Sequence, residues 1–168
     1  MLEITSLRPD DPPVFQAAFD EIGWNKPAAQ FERYLEEQTA GRRKVLVARE
    51  TGSFAGYVTV VWDPTYAPFH EAKIPEVQDF NVLPKFRRRR IGSALMDAAE
   101  ALIATRSEIA GIGVGLYPDY GPAQRLYILR GYVPDGRGIA NDCVQVQPGD
   151  TVRVDDGLVL YFTRRVRP

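Results

Sequence analysis

The residues best placed to do chemistry form one run, Lys85-Phe86-Arg87-Arg88-Arg89-Arg90-Ile91-Gly92-Ser93-Ala94, between a strand pattern and a helix pattern. The simplest readings of such a run are a solvated basic loop or a nucleic-acid patch. Position argues against both, because cations at a helix N-terminus oppose the macrodipole by about 0.3–1 kcal/mol per exposed charge. Four of them make sense there if an anion shares the place. First-turn amides and guanidinium groups then converge on it, with Gly92 and Ser93 letting the backbone come close. Phosphate or pyrophosphate is the expected anion. The run lacks a Gly-Lys-Ser/Thr ending, which argues against an NTPase P-loop.

Other titratable residues lie elsewhere. Tyr127 shares helical spacing with Ala123, Leu126 and Arg130, which by itself predicts a ring packed in the core. Glu76 and Asp79 fall in a strand pattern over residues 74–83. Alternation there puts Glu76, Gln78, Phe80 and Val82 on one face and Val77, Asp79 and Asn81 on the other. Either carboxylate reads as a base or as one half of a surface ion pair. A single histidine, His70, excludes a multi-histidine metal site and reads as a loop surface residue. The one cysteine, Cys143, excludes an intrachain disulfide, and no histidine near it in sequence suggests a nucleophile. There is no Gly-x-Ser-x-Gly elbow, and Gly111-x-Gly113-x-Gly115 has the wrong spacing for a dinucleotide fingerprint.

The elements that must position these residues follow from periodicity. A strand is expected over 2–7, then a breaker at 8–13 and a helix carrying Val14, Phe15, Ala18, Phe19 and Ile22, stopped by Gly23. A second helix starts near 25–27, buries Phe31, Tyr34 and Leu35, and ends at Gly41. Residues 44–50 and 54–62 read as a hairpin joined by Thr51-Gly52. Residues 63–73 read as a loop, 74–83 as a strand ended by Pro84, and 91–104 as a helix with Ile91, Leu95, Ala98, Ala99 and Leu102 on its stripe. A strand over 112–116, a helix over 122–130 closed by Gly131, a further strand start at Tyr132 and Val133, a turn-rich polar stretch over 134–156 and a last strand over 157–163 complete the order. Early hairpins call for antiparallel pairing and the strand–helix–strand unit over 74–116 for a parallel crossover. The fold class is mixed α/β, one domain over 2–168.

Composition sets the outer bounds. At 168 residues, with 45% hydrophobic and 26% charged, the chain suits one globular core. Lys+Arg (21) and Asp+Glu (22) nearly cancel to −1, so neither nucleic acid nor an anionic membrane is an expected partner. No apolar run approaches the ~18 residues of a membrane span, and Met1-Leu2-Glu3 lacks a basic signal start, which suggests a cytoplasmic protein.

The segment Val82-Leu83-Pro84-Lys85-Phe86-Arg87-Arg88-Arg89-Arg90-Ile91-Gly92-Ser93-Ala94-Leu95 resembles the acyl-CoA-binding segment of the GNAT superfamily of N-acetyltransferases, Arg/Gln-x-x-Gly-x-Gly/Ala. Arg87 and Gly92 match, while Arg90 stands where the family usually has its first glycine. The later run Ala123-Gln124-Arg125-Leu126-Tyr127-Ile128-Leu129-Arg130-Gly131-Tyr132 is similar to the family's Tyr-x-x-x-Gly-Phe/Tyr helix end. Tyr120 departs from an asparagine often found three residues before the alanine. The element order matches the family over residues 2–165.

The resemblance implies a central, mostly antiparallel sheet with a splayed parallel strand pair and about four helices. It implies acetyl-CoA as co-substrate, with no metal. The pantetheine arm would lie on free strand backbone at Phe80, Asn81 and Val82, and the pyrophosphate on Arg87, Arg88, Arg89, Arg90, Ile91, Gly92 and Ser93, with Ala123 and Tyr127 completing the cofactor contacts. Catalysis would use Tyr127 as the acid for the CoA thiolate, Glu76 as the base, and a backbone N–H near Val82 for the oxyanion. The acceptor would be a primary amine of a small molecule or peptide, and Asp63, Glu71, Glu76 and Asp79 favour a cationic one. Loops 23–30, 63–73 and 135–156 would select it. Many family members form homodimers, and the last strand leaves that association open. The departures at Arg90 and Tyr120 sustain one alternative, a non-catalytic acyl-CoA-binding or regulatory module.

Overall fold

Helical and alternating apolar patterns sort the chain into five α-helices and eight strands among the described residues, 1–167, of a computed structural model. Pro168, the end of the expected 2–168 domain, lies outside them. Two compact units divide the chain.

The first unit comprises Met1–Val61 and Gln78–Leu102. It holds β1 (Leu2–Ser6), α1 (Asp11–Asp20), α2 (Ala28–Thr39), β2 (Arg43–Glu50), β3 (Ser53–Val61), the latter part of β4 (Glu76–Val82) and most of α4 (Ile91–Ala104). Its strand order is β1-β2-β3-β4. The β2–β3 hairpin turns on Thr51 and Gly52, both at positive φ (49° and 83°), the two-residue geometry that matches strand twist. Helices α1 and α2 supply Phe15, Phe19 and Phe31, all fully buried, against Val45, Val47, Phe54 and Tyr57. Phe15 stacks on Phe54 at 3.8 Å and Phe31 meets Tyr57 edge-on at 5.3 Å. Each fully buried ring contributes about 1.5–3 kcal/mol. Val14, expected on the same stripe, is exposed, because it precedes Phe15 by one position and falls on the rim.

The second unit comprises Trp62–Val77 and the chain from Ile103 onward. It holds α3 (Ala67–Ala72), the start of β4, β5 (Ile109–Gly115), α5 (Gly121–Leu129), β6 (Val133–Asn141), β7 (Val144–Gln145) and β8 (Leu158–Arg165). Its order is β4-β5-β8-β6-β7. β4 pairs with β5 in parallel (Glu76↔Gly111, Val77↔Ile112), and the other pairings are antiparallel. The fold is thus the expected mixed α/β class, with one parallel strand pair.

Three local expectations are corrected. The loop over 63–73 contains α3, a fifth helix: Pro68 sits in its first turn, where a missing N–H costs nothing, and Lys73 ends it at φ 53°. The strand expected to start at Tyr132 and Val133 runs on from Val133 as β6 through the stretch expected to be turn-rich, 134–156, which also holds β7. Gly136 and Gly138, at φ 82° and 75°, bulge β6 between Pro134 and Ile139 without ending it. Asp79 adopts φ 47° inside β4, so the alternation expected over 74–83 is interrupted there. No described helix is long and apolar enough to cross a membrane.

Candidate functional site

In the first unit, the kink of β4 at Asp79 is heavily loaded. Oδ1 accepts from Lys26 Nζ at 2.5 Å and Asn81 Nδ2 at 2.9 Å. Oδ2 accepts from Gln30 Nε2 at 2.8 Å, Tyr34 OH at 2.9 Å and Tyr57 OH at 2.5 Å. Burial pushes the Asp79 carboxyl up, but the Lys26 charge and the hydrogen bonds from Lys26, Tyr57 and Tyr34 outweigh it and hold the group below its ordinary value. A carboxylate so saturated is a poor proton acceptor, which removes Asp79 from the candidate bases. The same contacts, after burial, raise the Tyr57 and Tyr34 phenols.

Beyond Asp79, Phe80, Asn81 and Val82 lead through Leu83, fully buried, into a 3-10 turn at Pro84–Phe86. Arg87 is extended, and Arg88 and Arg90 are left-handed at φ 61° and 60°. Arg90 therefore keeps the conformation that a glycine at its position would take most easily. Its carbonyl accepts the Ala94 N–H at 3.0 Å, the first helical bond of α4, so the amides of Ile91, Gly92 and Ser93 precede the helical ladder. Ile91 anchors the helix start in the core. A Cβ on Gly92 would stand 3.1 Å from the Phe80 ring, so the glycine lets α4 begin close over β4.

The four arginines do not all converge. Arg89 pairs with Glu50 at 2.6 Å and lies over Phe86, while Arg87 donates to the Val82 carbonyl at 3.3 Å and lies over Trp24. Sequence proximity could not reveal Glu50 and Trp24 as partners. Arg88 and Arg90 are exposed, and no ion pair among the described residues holds either. Two free guanidinium groups, alternating left-handed backbone and free first-turn amides fit a phosphoanhydride, and two anchored arginines hold the turn's shape.

In the second unit, Gly131 at φ 86° closes α5, and Tyr127 lies buried within that helix, one turn after the half-buried Ala123. Burial alone pushes the Tyr127 phenol up, so it keeps its proton at neutral pH. Tyr120, standing in place of asparagine, lays its ring on Gly115 and donates to Asp156 at 2.9 Å together with Tyr117. The Gly111-x-Gly113-x-Gly115 pattern has a structural cause. On one face of β5 the three glycines leave room for Phe69, for Val159 with Tyr161, and for Tyr120 respectively.

Glu76 is buried at the start of β4, and its charge is one of the causes, after burial and the Cys143 contact, that raise the Tyr161 phenol. Tyr161 stacks on Tyr66 at 3.6 Å and meets Cys143 Sγ at 3.5 Å, and Tyr66 donates to Asp135 at 2.8 Å. None of these partners belongs to a sequence motif, so nothing local marked them. His70 is exposed on α3, with Nδ1 2.5 Å from the equally exposed Asp63.

Residues 4–132 match the family model described as the acetyltransferase (GNAT) family. No curated protein matches the chain. Among solved structures, the chain resembles an N-acetyltransferase from Staphylococcus aureus Mu50 with a TM-score of 0.72 and 15% identity, covering 99% of each chain. It resembles the ribosomal-protein-S18-alanine N-acetyltransferase from Escherichia coli at 0.68 and 16%, covering 100% of this chain and 96% of that one. It also resembles yncA from Salmonella typhimurium, solved with its cofactor acetyl-CoA, at 0.68 and 15%, covering 98% and 94%. At these identities the likeness is one of fold.

Proposed function

The chain belongs to the acetyltransferase (GNAT) family, and from that premise we propose that it transfers an acetyl group from acetyl-CoA to a primary amine of a small molecule or peptide. The observation that carries this reading is the Arg87–Ser93 turn. Its left-handed Arg90 takes a backbone conformation open to glycine, and its free Arg88 and Arg90 stand at the start of α4.

Acetyl-CoA supplies an activated thioester, open to direct attack by the amine when both are bound. Arg88, Arg90 and the amides of Ile91, Gly92 and Ser93 bind the pyrophosphate, while Arg87 and Arg89 brace the turn. Backbone groups of Phe80, Asn81 and Val82 orient the pantetheine arm, and an N–H near Val82 donates to the thioester oxygen. Ala123 lines the cofactor's path. Tyr127 delivers its phenolic proton to the departing sulfur as the C–S bond breaks, and regains one from the newly acylated nitrogen; its protonated state at neutral pH supports that role. Glu76 takes the proton of the acceptor ammonium, a role supported by its burial in β4. The exposed carboxylates of Asp63 and Glu71 favour a cationic acceptor. Residues 2–168 act as one transferase domain in the cytoplasm, and the last strand is the proposed route to a homodimer.

Calorimetric titration with acetyl-CoA, and with dephosphorylated CoA for comparison, tests the cofactor assignment. One-to-one binding, weaker without the phosphate, is expected, followed by amine-dependent thiol release in a panel of primary amines. Absence of binding sinks the cofactor assignment. Binding with no thiol release across the panel replaces the transferase with a non-catalytic acyl-CoA-binding module.

A further inference from the structure

Among the non-glycine residues at positive φ, Thr51, Lys73, Arg88, Arg90, Asp142 and Cys143 lie in turns between elements; of the described residues only Asp79 stands inside a strand. An isolated left-handed residue in a ladder persists only where its surroundings over-determine it. Here the surroundings are explicit. One carboxylate gathers five side-chain donors: Lys26 from the α1–α2 connection, Gln30 and Tyr34 from α2, Tyr57 from β3 and Asn81 from β4 itself. Tyr57 is fully buried and Tyr34 nearly so, so the donors approach from fixed directions. An asparagine at this position has one acceptor oxygen, and its amide would point N–H groups at donors.

We propose that Asp79 is a positioning residue for acetyl transfer: its five-donor network fixes the kink that sets the backbone of Phe80–Val82, and through Lys26 it ties the α1–α2 connection to that segment. The inference rests on the reading that Phe80–Val82 receives the pantetheine arm. It adds that the conformation of this receiving backbone is set from the α1–α2 connection, α2 and β3.

The test separates the two halves of CoA. Acetyl-CoA carries the pantetheine arm, whereas 3′-phospho-ADP carries the diphosphate without it. Both are titrated calorimetrically into the wild-type protein and Asp79→Asn. The expected result is a loss of about ten-fold in affinity for acetyl-CoA, with the affinity for 3′-phospho-ADP unchanged. Equal weakening of both ligands makes Asp79 a residue of the general fold and overturns the proposal, as does unchanged acetyl-CoA affinity. Lys26→Met and Tyr34→Phe each remove one donor, and keep the test open if Asp79→Asn does not fold. Each is expected to weaken acetyl-CoA alone, by less than Asp79→Asn, and no effect from either overturns the proposal. Failure of the wild-type protein to bind either ligand is a separate result: it overturns the cofactor reading, and this inference with it.

Discussion

Lys26 and Asp79, 53 residues apart in the chain, meet in an ion pair of 2.5 Å with their side chains 22% and 16% exposed. Removing the carboxylate deprives a partly buried ammonium of its counter-charge and two buried phenols of their shared acceptor. Asp79→Ala is therefore expected to cost about 3–5 kcal/mol.

The same network sets an acid limb. The folded Asp79 carboxyl lies below its ordinary value of 3.8, so the native state binds fewer protons than the unfolded chain. Its contribution is complete above that ordinary value and is lost as pH falls through the folded one. Urea unfolding of the wild-type protein should therefore lose stability below about pH 4, and Asp79→Asn should lose less over the same interval. Parallel acid limbs in the two proteins would remove Asp79 as their source.

Arg90 makes the opposite kind of prediction, because stability and binding should part. A side chain at φ 60° costs about 1 kcal/mol relative to glycine, and its charge opposes the α4 dipole. Arg90→Gly should raise the melting temperature of the free protein. It should also weaken acetyl-CoA binding and make that binding less sensitive to salt. Unchanged affinity and salt dependence would place the Arg90 guanidinium outside the phosphate site.

What could be read from the sequence was what is local. The α4 contacts of Ile91, Leu95 and Ala99, the Thr51-Gly52 hairpin and the Arg87–Ser93 turn each lie within a short window, where spacing and residue type carry the information, although the buried stripe of α4 runs on through Met96 and Ile103 rather than Ala98 and Leu102. The kink at Asp79 could not be read, because three of its donors are 45 to 53 residues distant and a fourth, Tyr57, is 22 residues away. The division of the arginines depended on Glu50, 39 residues from Arg89, and the fixing of Tyr120 on Asp156, 36 residues on. Pro68 and the Pro134–Gly138 stretch misled for a different reason. Proline suits a helix's first turn as well as a loop, and glycines at positive φ bulge a strand as readily as they end it.

The β5 glycines give a packing prediction. A Cβ on Gly111 would lie 2.3 Å from a ring carbon of Phe69, which is fully buried against Tyr66 and Tyr161. Gly111→Ala should destabilise by about 1–3 kcal/mol. Gly121 opens α5 at φ −51° with nothing within 4 Å of its Cβ position. Gly121→Ala should therefore stabilise by about 0.4–1 kcal/mol. Thermal unfolding of the two variants should move in opposite directions, and a shift of the same sign would contradict the packing described around β5.

Tyr127 offers the sharpest division between packing and chemistry. Its ring is buried in α5, and burial is the sole cause of its raised phenol. Phenylalanine thus preserves the buried ring while deleting the proton. Tyr127→Phe should melt close to the wild-type protein and bind acetyl-CoA with near-wild-type affinity, yet turn over about 10²–10⁴-fold more slowly. Because the folded phenol titrates above its ordinary value of 10.0, it stays protonated through neutral pH and past that value. The acid therefore imposes no alkaline fall in wild-type turnover below about pH 10. A pH–rate profile rising between pH 7 and 9 in the wild type, and flat in the variant, would mean that the phenolate rather than the phenol does the work. Equal losses of affinity and turnover would instead assign Tyr127 to packing alone.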